Sequence, residues 1–442
     1  MFKKSTMAFA AAALSLPCAA QAQSQDELQT LRDRVKQLEQ RVDEAEQAAI
    51  QASNRPTAEN ALNPGVSAIL NGVYSNLSQD PRSFRINGFV PTLGEVGPGV
   101  RGLSLGESEL AFAANIDQNF RGTLIASISP DDSTIDVEEG YIQTLSLSKG
   151  FTVKAGRFFS AVGYQNQIHA HAWDFTDAPL ASKVFLGNQL ADDGVQLKWV
   201  APTITYFDLG AEVGRGKQFP AGSDRNKNGF SSSNFFTHVG GDFGTGSAWQ
   251  TGLSYASTSP QDRSYGDVDS NGTAVTNSFT GDTGLWVLSG IFKWAPNYNP
   301  TSTSFKLQGE YFRRRENGSL TFDTAGAVGT QTGGYTSAQS GWYLQGVYQF
   351  IPMWRVGYRY DRLDAGTTSI GLVDSGGLAA ADFPVLARYN PTRQTAMVDW
   401  SPSEFSRVRL QYARDNSRSD ATDNQVFLQY IASMGAHGAH TF

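Results

Sequence analysis

The chain reads as an all-β protein: sixteen amphipathic strands closed into an antiparallel transmembrane β-barrel, preceded by a short α-helical coiled coil. Three observations predict this. An export signal stands at the start, and no later segment approaches the ~18 apolar residues a spanning helix needs. From residue 66 onward, tight turns alternate with long loops between candidate strands. The final stretch, 424–442, alternates apolar and polar residues and ends on an aromatic, Phe442.

The export signal is Met1 to Ala22. Lys3 and Lys4 form a basic head, Met7 to Leu16 an apolar run, and Ala20-Gln21-Ala22 a small-residue cleavage site. Cys18, the only cysteine, lies inside it and lacks the neighbours of a lipid-attachment site. The mature chain therefore uses neither disulfides nor thiolate-bound metal. Without the two lysines, 33 basic residues face 42 acidic ones, a net charge of about −9. Nothing in this balance favours nucleic acid.

Residues 23–50 form the one clearly helical segment. Leu28, Leu31, Val35, Leu38, Val42, Ala45 and Ala49 recur at spacings of three and four, with charges and glutamines between. That is a heptad seam, and it predicts an oligomerising coiled coil. Residues 51–65, with Asn54-Arg55-Pro56 and Asn63-Pro64, read as a linker. The barrel then occupies 66–442.

Period-two alternation marks candidate strands near 67–78, 103–116, 120–129, 135–148, 151–164, 186–200, 203–214, 230–243, 247–257, 283–295, 302–315, 336–350, 354–363, 388–400, 405–414 and 424–442. Asp117-Gln118-Asn119, Ser148-Lys149-Gly150, Gly244-Thr245-Gly246 and Ile351-Pro352-Met353 are tight connections; 79–102, 165–185, 258–282, 316–335 and 364–387 are long ones. Segregated loop lengths suit an up-and-down barrel with short periplasmic turns and long outer loops. An even strand count puts the coiled coil and Phe442 on the same, periplasmic side. Trp199, Trp286, Trp294, Trp342, Trp354 and Trp400 lie near strand ends, as in a barrel girdled by lipid.

The closing strand with its terminal aromatic resembles that of bacterial outer-membrane barrels, where it is the signal read by the barrel-assembly machinery. Lys154-Ala155-Gly156-Arg157-Phe158-Phe159 and Asp193-Gly194-Val195-Gln196-Leu197-Lys198-Trp199 resemble the porin superfamily that includes phosphate-selective and DcaP-like porins. The resemblance implies a homotrimer in the outer membrane of a Gram-negative bacterium, surrounded by lipid and passing small solutes. It also implies that the third long connection, Gln165 to Lys183, folds inward and narrows the lumen.

That connection carries Asp174 and Asp177. In 355–360 and 407–412 the odd positions Arg355, Arg359, Arg407 and Arg409 point inward by alternation, and Arg393 and Lys306 join them. An arginine wall opposite a carboxylate-bearing loop sets up a transverse field that draws anionic or zwitterionic solutes. Alternatively these arginines pair with lumen carboxylates such as Glu310 and Asp399 and only stabilise the wall.

Two histidine pairs, His169/His171 and His437/His440, have spacings suited to a transition metal. The stretches around them resemble outer-membrane proteins linked to zinc uptake, so zinc uptake or binding is one alternative function. A closed structural or adhesive barrel is another. The runs Asp224 to Gly229 and Asp267 to Gly272 match half a calcium loop but lack its glutamate at position twelve, so no cofactor is required. A plugged active transporter needs about 22 strands, more than this chain supplies. No nucleophile and base stand at a spacing that singles them out, so an enzyme is not expected.

Overall fold

Inverted alternation builds this molecule. In β18, Gln425, Phe427, Gln429 and Ile431 are buried, whereas Val426, Leu428, Tyr430 and Met434 are exposed. The apolar side chains face out and the polar ones in, the reverse of a water-soluble sheet. A computed structural model of the chain describes residues 65–92, 96–129, 134–222, 228–296 and 299–435. The expected signal peptide, coiled coil and linker up to residue 64 lie outside the described residues, as do His437, His440 and Phe442.

Eighteen strand segments form one antiparallel sheet: β1 Gly65–Leu77, β2 Gly102–Leu105, β3 Ser108–Asn115, β4 Phe120–Ser129, β5 Thr134–Thr144, β6 Phe151–Phe159, β7 Ala191–Val200, β8 Tyr206–Gly214, β9 Ser232–Asp242, β10 Ser247–Thr258, β11 Arg263–Val268, β12 Ala274–Trp294, β13 Ser304–Phe322, β14 Gln331–Ile351, β15 Trp354–Ile370, β16 Thr392–Ser403, β17 Ser406–Asn416 and β18 Asp423–Gly435. β2 and β3 lie end to end along β1, and β10 and β11 lie end to end along β12. The segments therefore make sixteen staves. β1 pairs with β18 from Ser67 opposite Gly435 to Leu77 opposite Gln425, which closes the barrel.

All sixteen expected strands are present, and their tight connections fall at one rim. Asp117 accepts the amides of Asn119 and Phe120 to close the β3–β4 turn, and Met353 turns β14 into β15 with φ 71°. One turn is displaced: the candidate strands leave 401–404 between them, but β16 continues through Ser403, so the bend falls at Glu404-Phe405.

The larger difference lies at the opposite rim. β12, β13, β14 and β15 run 21, 19, 21 and 17 residues, against 8 and 9 for β3 and β6. A tilted strand crosses the hydrocarbon in about 9–11 residues, so the four long strands rise well beyond it. Parts of 258–282, 316–335 and 364–387, expected as loops, are this tall wall. Outside the membrane both faces carry polar residues, so the alternation there has little contrast.

Candidate functional site

The third long connection, from Ser160 to Leu190, runs inside the barrel. Its base is tied by Asn166, whose side-chain amide donates to the carbonyls of Ser160 and Leu190 and whose oxygen accepts the Leu190 amide. Three carboxylates of the wall then accept its backbone amides. Glu212 of β8 takes Ala161, Glu310 of β13 takes Tyr164 and Gln165, and Asp361 of β15 takes Leu180. These acids are buried, and each supplies hydrogen-bond acceptors that the bent segment could not find in a sheet.

The segment's tip becomes helix α1, Leu180–Leu186, which ends at Gly187 in the left-handed region with φ 66°. All seven helical residues are buried. Leu180, Ala181, Val184, Phe185 and Leu186 form an apolar cluster with inward residues of the tall wall, among them Val287, Phe312, Tyr343 and Leu363. Gly341 makes room for it: a Cβ there would stand 3.0 Å from Phe185 Cε2 and 2.4 Å from Leu363 Cδ2. The first connection also turns inward, setting Phe89 edge-on to Phe185 at 5.9 Å.

The acids and bases expected to line an eyelet meet directly. Asp174 pairs with Lys306 and lies 3.3 Å from Arg355, which also binds Asp399 at 2.6 Å. Asp177 pairs with Arg393 and lies 3.1 Å from Arg359 and 3.4 Å from Lys183. Arg407 and Arg409 donate to the Trp173 carbonyl at 3.1 and 2.9 Å. Arg359, Arg393 and Arg409 are each 1% exposed. The arginine side and the loop thus form a buried ionic contact rather than two walls across a gap. Of the wall carboxylates, Asp399 joins this network, whereas Glu310 serves the loop backbone and Tyr343.

Burial raises the carboxyls of Asp174 and Asp177, but the surrounding cations outweigh it and hold both well below the ordinary carboxylate range. For Asp177 those cations are Arg393, Lys183 and Arg359. Burial lowers the Lys183 ammonium below its usual value. A depressed carboxylate contributes stability above its undocked pKa, near 3.9, and loses it only as pH falls through the docked value. These two carboxylates therefore cause no loss of docking from pH 7 down to about pH 4.5. Trypsin resistance of the segment across that range checks this, and a loss of protection as pH falls to about 5 would contradict it.

His169 and His171 come together with their rings 5.8 Å apart. Glu109 of β3 and Glu138 and Glu139 of β5 surround them. Burial disfavours the His169 imidazolium, yet the three carboxylates prevail and hold its pKa well above the ordinary value. Sequence reading missed these glutamates. The available signal was the adjacent acid pair Glu138-Glu139 inside a strand, which breaks alternation. Of the two acidic runs, 224–227 lie outside the described residues. In the second, Asp269 accepts the amides of Asn271 and Thr273 and closes the β11–β12 turn.

At the short-turn rim the lumen opens into a cavity of about 270 Å³, lined by His171, Gln349, Arg355, Glu404 and Arg407 among others. Lys293 and Lys306 stand opposite each other in the β12–β13 register nearby. Like charges so placed cost stability, so this sector keeps positive charge at some expense.

No family model matches the chain. It is 31% identical over 360 residues to an uncharacterized protein of Aquifex aeolicus (strain VF5), covering 77% of this chain and 70% of that one. Among solved structures, a loop L8 deletion mutant of OmpT, an outer membrane protein of Vibrio cholerae, superposes with a TM-score of 0.51 and 12% identity. That match covers 85% of this chain and all of the other. An anion-selective porin from Comamonas acidovorans superposes with a TM-score of 0.51 and 11% identity, covering 84% and 99%. The chain belongs to the family of the Aquifex aeolicus protein, and its fold is the closed sixteen-stranded barrel of the outer-membrane porins.

Proposed function

We propose that this protein is an outer-membrane channel for passive diffusion of small, anionic or zwitterionic solutes, narrowed by its inward third connection. The observation that carries the reading is the path of residues 160–190. They run through the lumen and bind inward side chains on both β3 and β5 and on β13 to β17. A barrel whose work lay only in its outer loops has no use for so elaborate a restriction.

Charge supports the anionic preference. Toward the short-turn rim, the cations Lys293, Lys306, Arg355, Arg407 and Arg409 share two buried carboxylates, Asp174 and Asp399. On the β12–β17 side, even counting Glu404 at the rim, five positive charges stand with three negative ones, whereas the acids Glu109, Glu138 and Glu139 gather on the β3–β5 side. A low-dielectric vestibule of one dominant sign concentrates counter-ions. Deeper in, Arg359, Arg393 and Lys183 balance Asp177, Asp361 and Asp415. Selectivity is thus assigned to the vestibule, with the deeper network acting as the mooring of the loop. The coiled coil of residues 23–50 would hold three such barrels together from the periplasm.

Single-channel recording of the refolded full chain in planar bilayers tests this. Small steps in groups of three, with reversal potentials in a salt gradient indicating anion preference, are expected. Cation preference would remove the vestibule from the account. Silence from a correctly folded barrel would turn the reading to a scaffold or adhesive role.

A further inference from the structure

We propose that the lumen contains a resident binding site for a divalent first-row transition ion, Zn²⁺ foremost. Its ligands are His169, His171, Glu109 and Glu138, and Glu139 orients His169. The site joins the third connection to the low wall of β3 and β5.

Spacing is the first argument. Bonds of about 2.0–2.1 Å to imidazole nitrogen and carboxylate oxygen give a tetrahedron with edges of about 3.3–3.4 Å. His169 Nδ1 lies 3.3 Å from Glu109 Oε2 and 3.3 Å from Glu138 Oε2. His171 Nδ1 lies 2.8 Å from Glu109 Oε1. One ligand atom each from Glu109, His169 and His171 fall within 4.8 Å of one another. Among these three the gaps reach at most 4.8 Å, so closing on an ion takes side-chain shifts of up to about 1 Å.

The second argument is unmet bonding. His169 Nδ1 and Glu138 Oε2 are both buried, and neither makes a hydrogen bond, though they face each other. A buried nitrogen and oxygen left this way cost stability unless something lies between them. The other ring nitrogen of His169, Nε2, is 3.1 Å from Glu139 Oε2. A carboxylate on the far side of a ligating imidazole is the usual means of fixing its tautomer and ring plane.

The third argument comes from the backbone. In the β4–β5 ladder Ile125 is opposite Glu139 and Ala126 is opposite Val137, so Glu138 is the extra residue of a β-bulge. Without the bulge, Glu138 and Glu139 would point to opposite faces of the sheet. With it, both reach His169. Glu107 adds a fourth carboxylate, forming a second cluster with Glu109 and Glu138. Besides His169, Lys154 is a cation that acts on Glu139. Mixed imidazole and carboxylate donors suit Zn²⁺ and its neighbours, whereas Ca²⁺ and Mg²⁺ prefer oxygen alone.

The full chain in detergent, stripped with chelator, is titrated with Zn²⁺ by calorimetry, and metal content is measured after dialysis. One ion per chain is expected. His171→Ala and Glu138→Gln are expected to weaken binding more than Glu139→Gln, whose loss is about 10–100-fold. His437→Ala/His440→Ala is expected to leave it unchanged. Substoichiometric uptake by a folded barrel overturns the proposal, as does binding that survives His169→Ala/His171→Ala. If those variants misfold, X-ray absorption on the wild-type protein decides. A nitrogen and oxygen shell at about 2.0–2.1 Å with imidazole scattering supports the site, and an all-oxygen shell overturns it.

Discussion

Replacing Asp177 with asparagine is expected to release the third connection from the arginine side, raise single-channel conductance several-fold and open the Lys183–Val184 bond to trypsin. Asp177 touches Arg359, Arg393 and Lys183, and its Oδ1 also accepts from Gln411. Each arginine keeps a second acid, Asp361 for Arg359 and Asp415 for Arg393. Lys183 does not: among the described residues, Asp177 is the one carboxylate within 4.0 Å of its ammonium, and Lys183 is only 2% exposed. Removing one partner of a buried pair costs about 3–5 kcal/mol, because the remaining charge keeps its desolvation penalty. Here the stranded charge sits on α1, so undocking α1 is the direct relief. Lys183→Met in the same background removes that charge, and with it the trypsin site, so its expected effect is read as conductance returning most of the way to the wild-type value. Unchanged conductance and unchanged proteolysis in Asp177→Asn would show that apolar packing alone holds the loop.

Phe185→Ala is expected to loosen the same segment from its other side, at a cost of about 3–5 kcal/mol. The ring has no exposed surface and stacks on Phe312 at 5.8 Å. It meets the edge of Phe89 and lies under the Arg314 guanidinium at 5.3 Å. Alanine would leave a cavity between the tall wall and the first connection, so Phe89 loses its seat as well. Phe185→Leu should cost much less, since most of the volume is retained. The barrel itself should survive both changes, because its strands are held by backbone ladders to which Phe185 contributes no bond. Heat-modifiable migration on gels reports the barrel, and limited proteolysis reports the loop. Loss of the folded barrel band in Phe185→Ala would mean that the lumen core and the staves fold as one unit.

Much of the architecture was legible in the chain because alternation leaves a strong mark where one face meets lipid. Arg355, Arg359, Arg407 and Arg409 were assigned inward by parity alone, and Val356, Tyr358, Leu410 and Tyr412 outward; the burial pattern follows that division. Legibility faded where contrast or locality failed. The outer halves of β12 to β15 face water, so polar residues stand on both sides and the period is weak. The trajectory of 160–190 depends on Glu212, Glu310 and Asp361, which no local rule connects to it. Parity named the arginines but not their distance from Asp174 and Asp177. At Glu138 the rule fails for a physical reason, since a bulge shifts the phase by one residue.

The pairing of the first strand with the last has a consequence for the order of assembly. Asn71 and Gln429, hydrogen-bonded across that seam, are separated by 358 residues. The loop's own moorings arrive late as well: Asp177 waits 216 residues for Arg393, and Trp173 waits 236 for Arg409. Contacts so distant in sequence form slowly, because closure entropy must be met before they contribute. A chain ending before β16 could not close the seam and would hold the inward segment only through earlier strands, at Glu139, Glu212, Glu310 and Asp361. The segment must therefore settle into an unfinished, open sheet and be enclosed as β18 finds β1. The segment must thus be inside before the wall closes, whether or not its last moorings have formed.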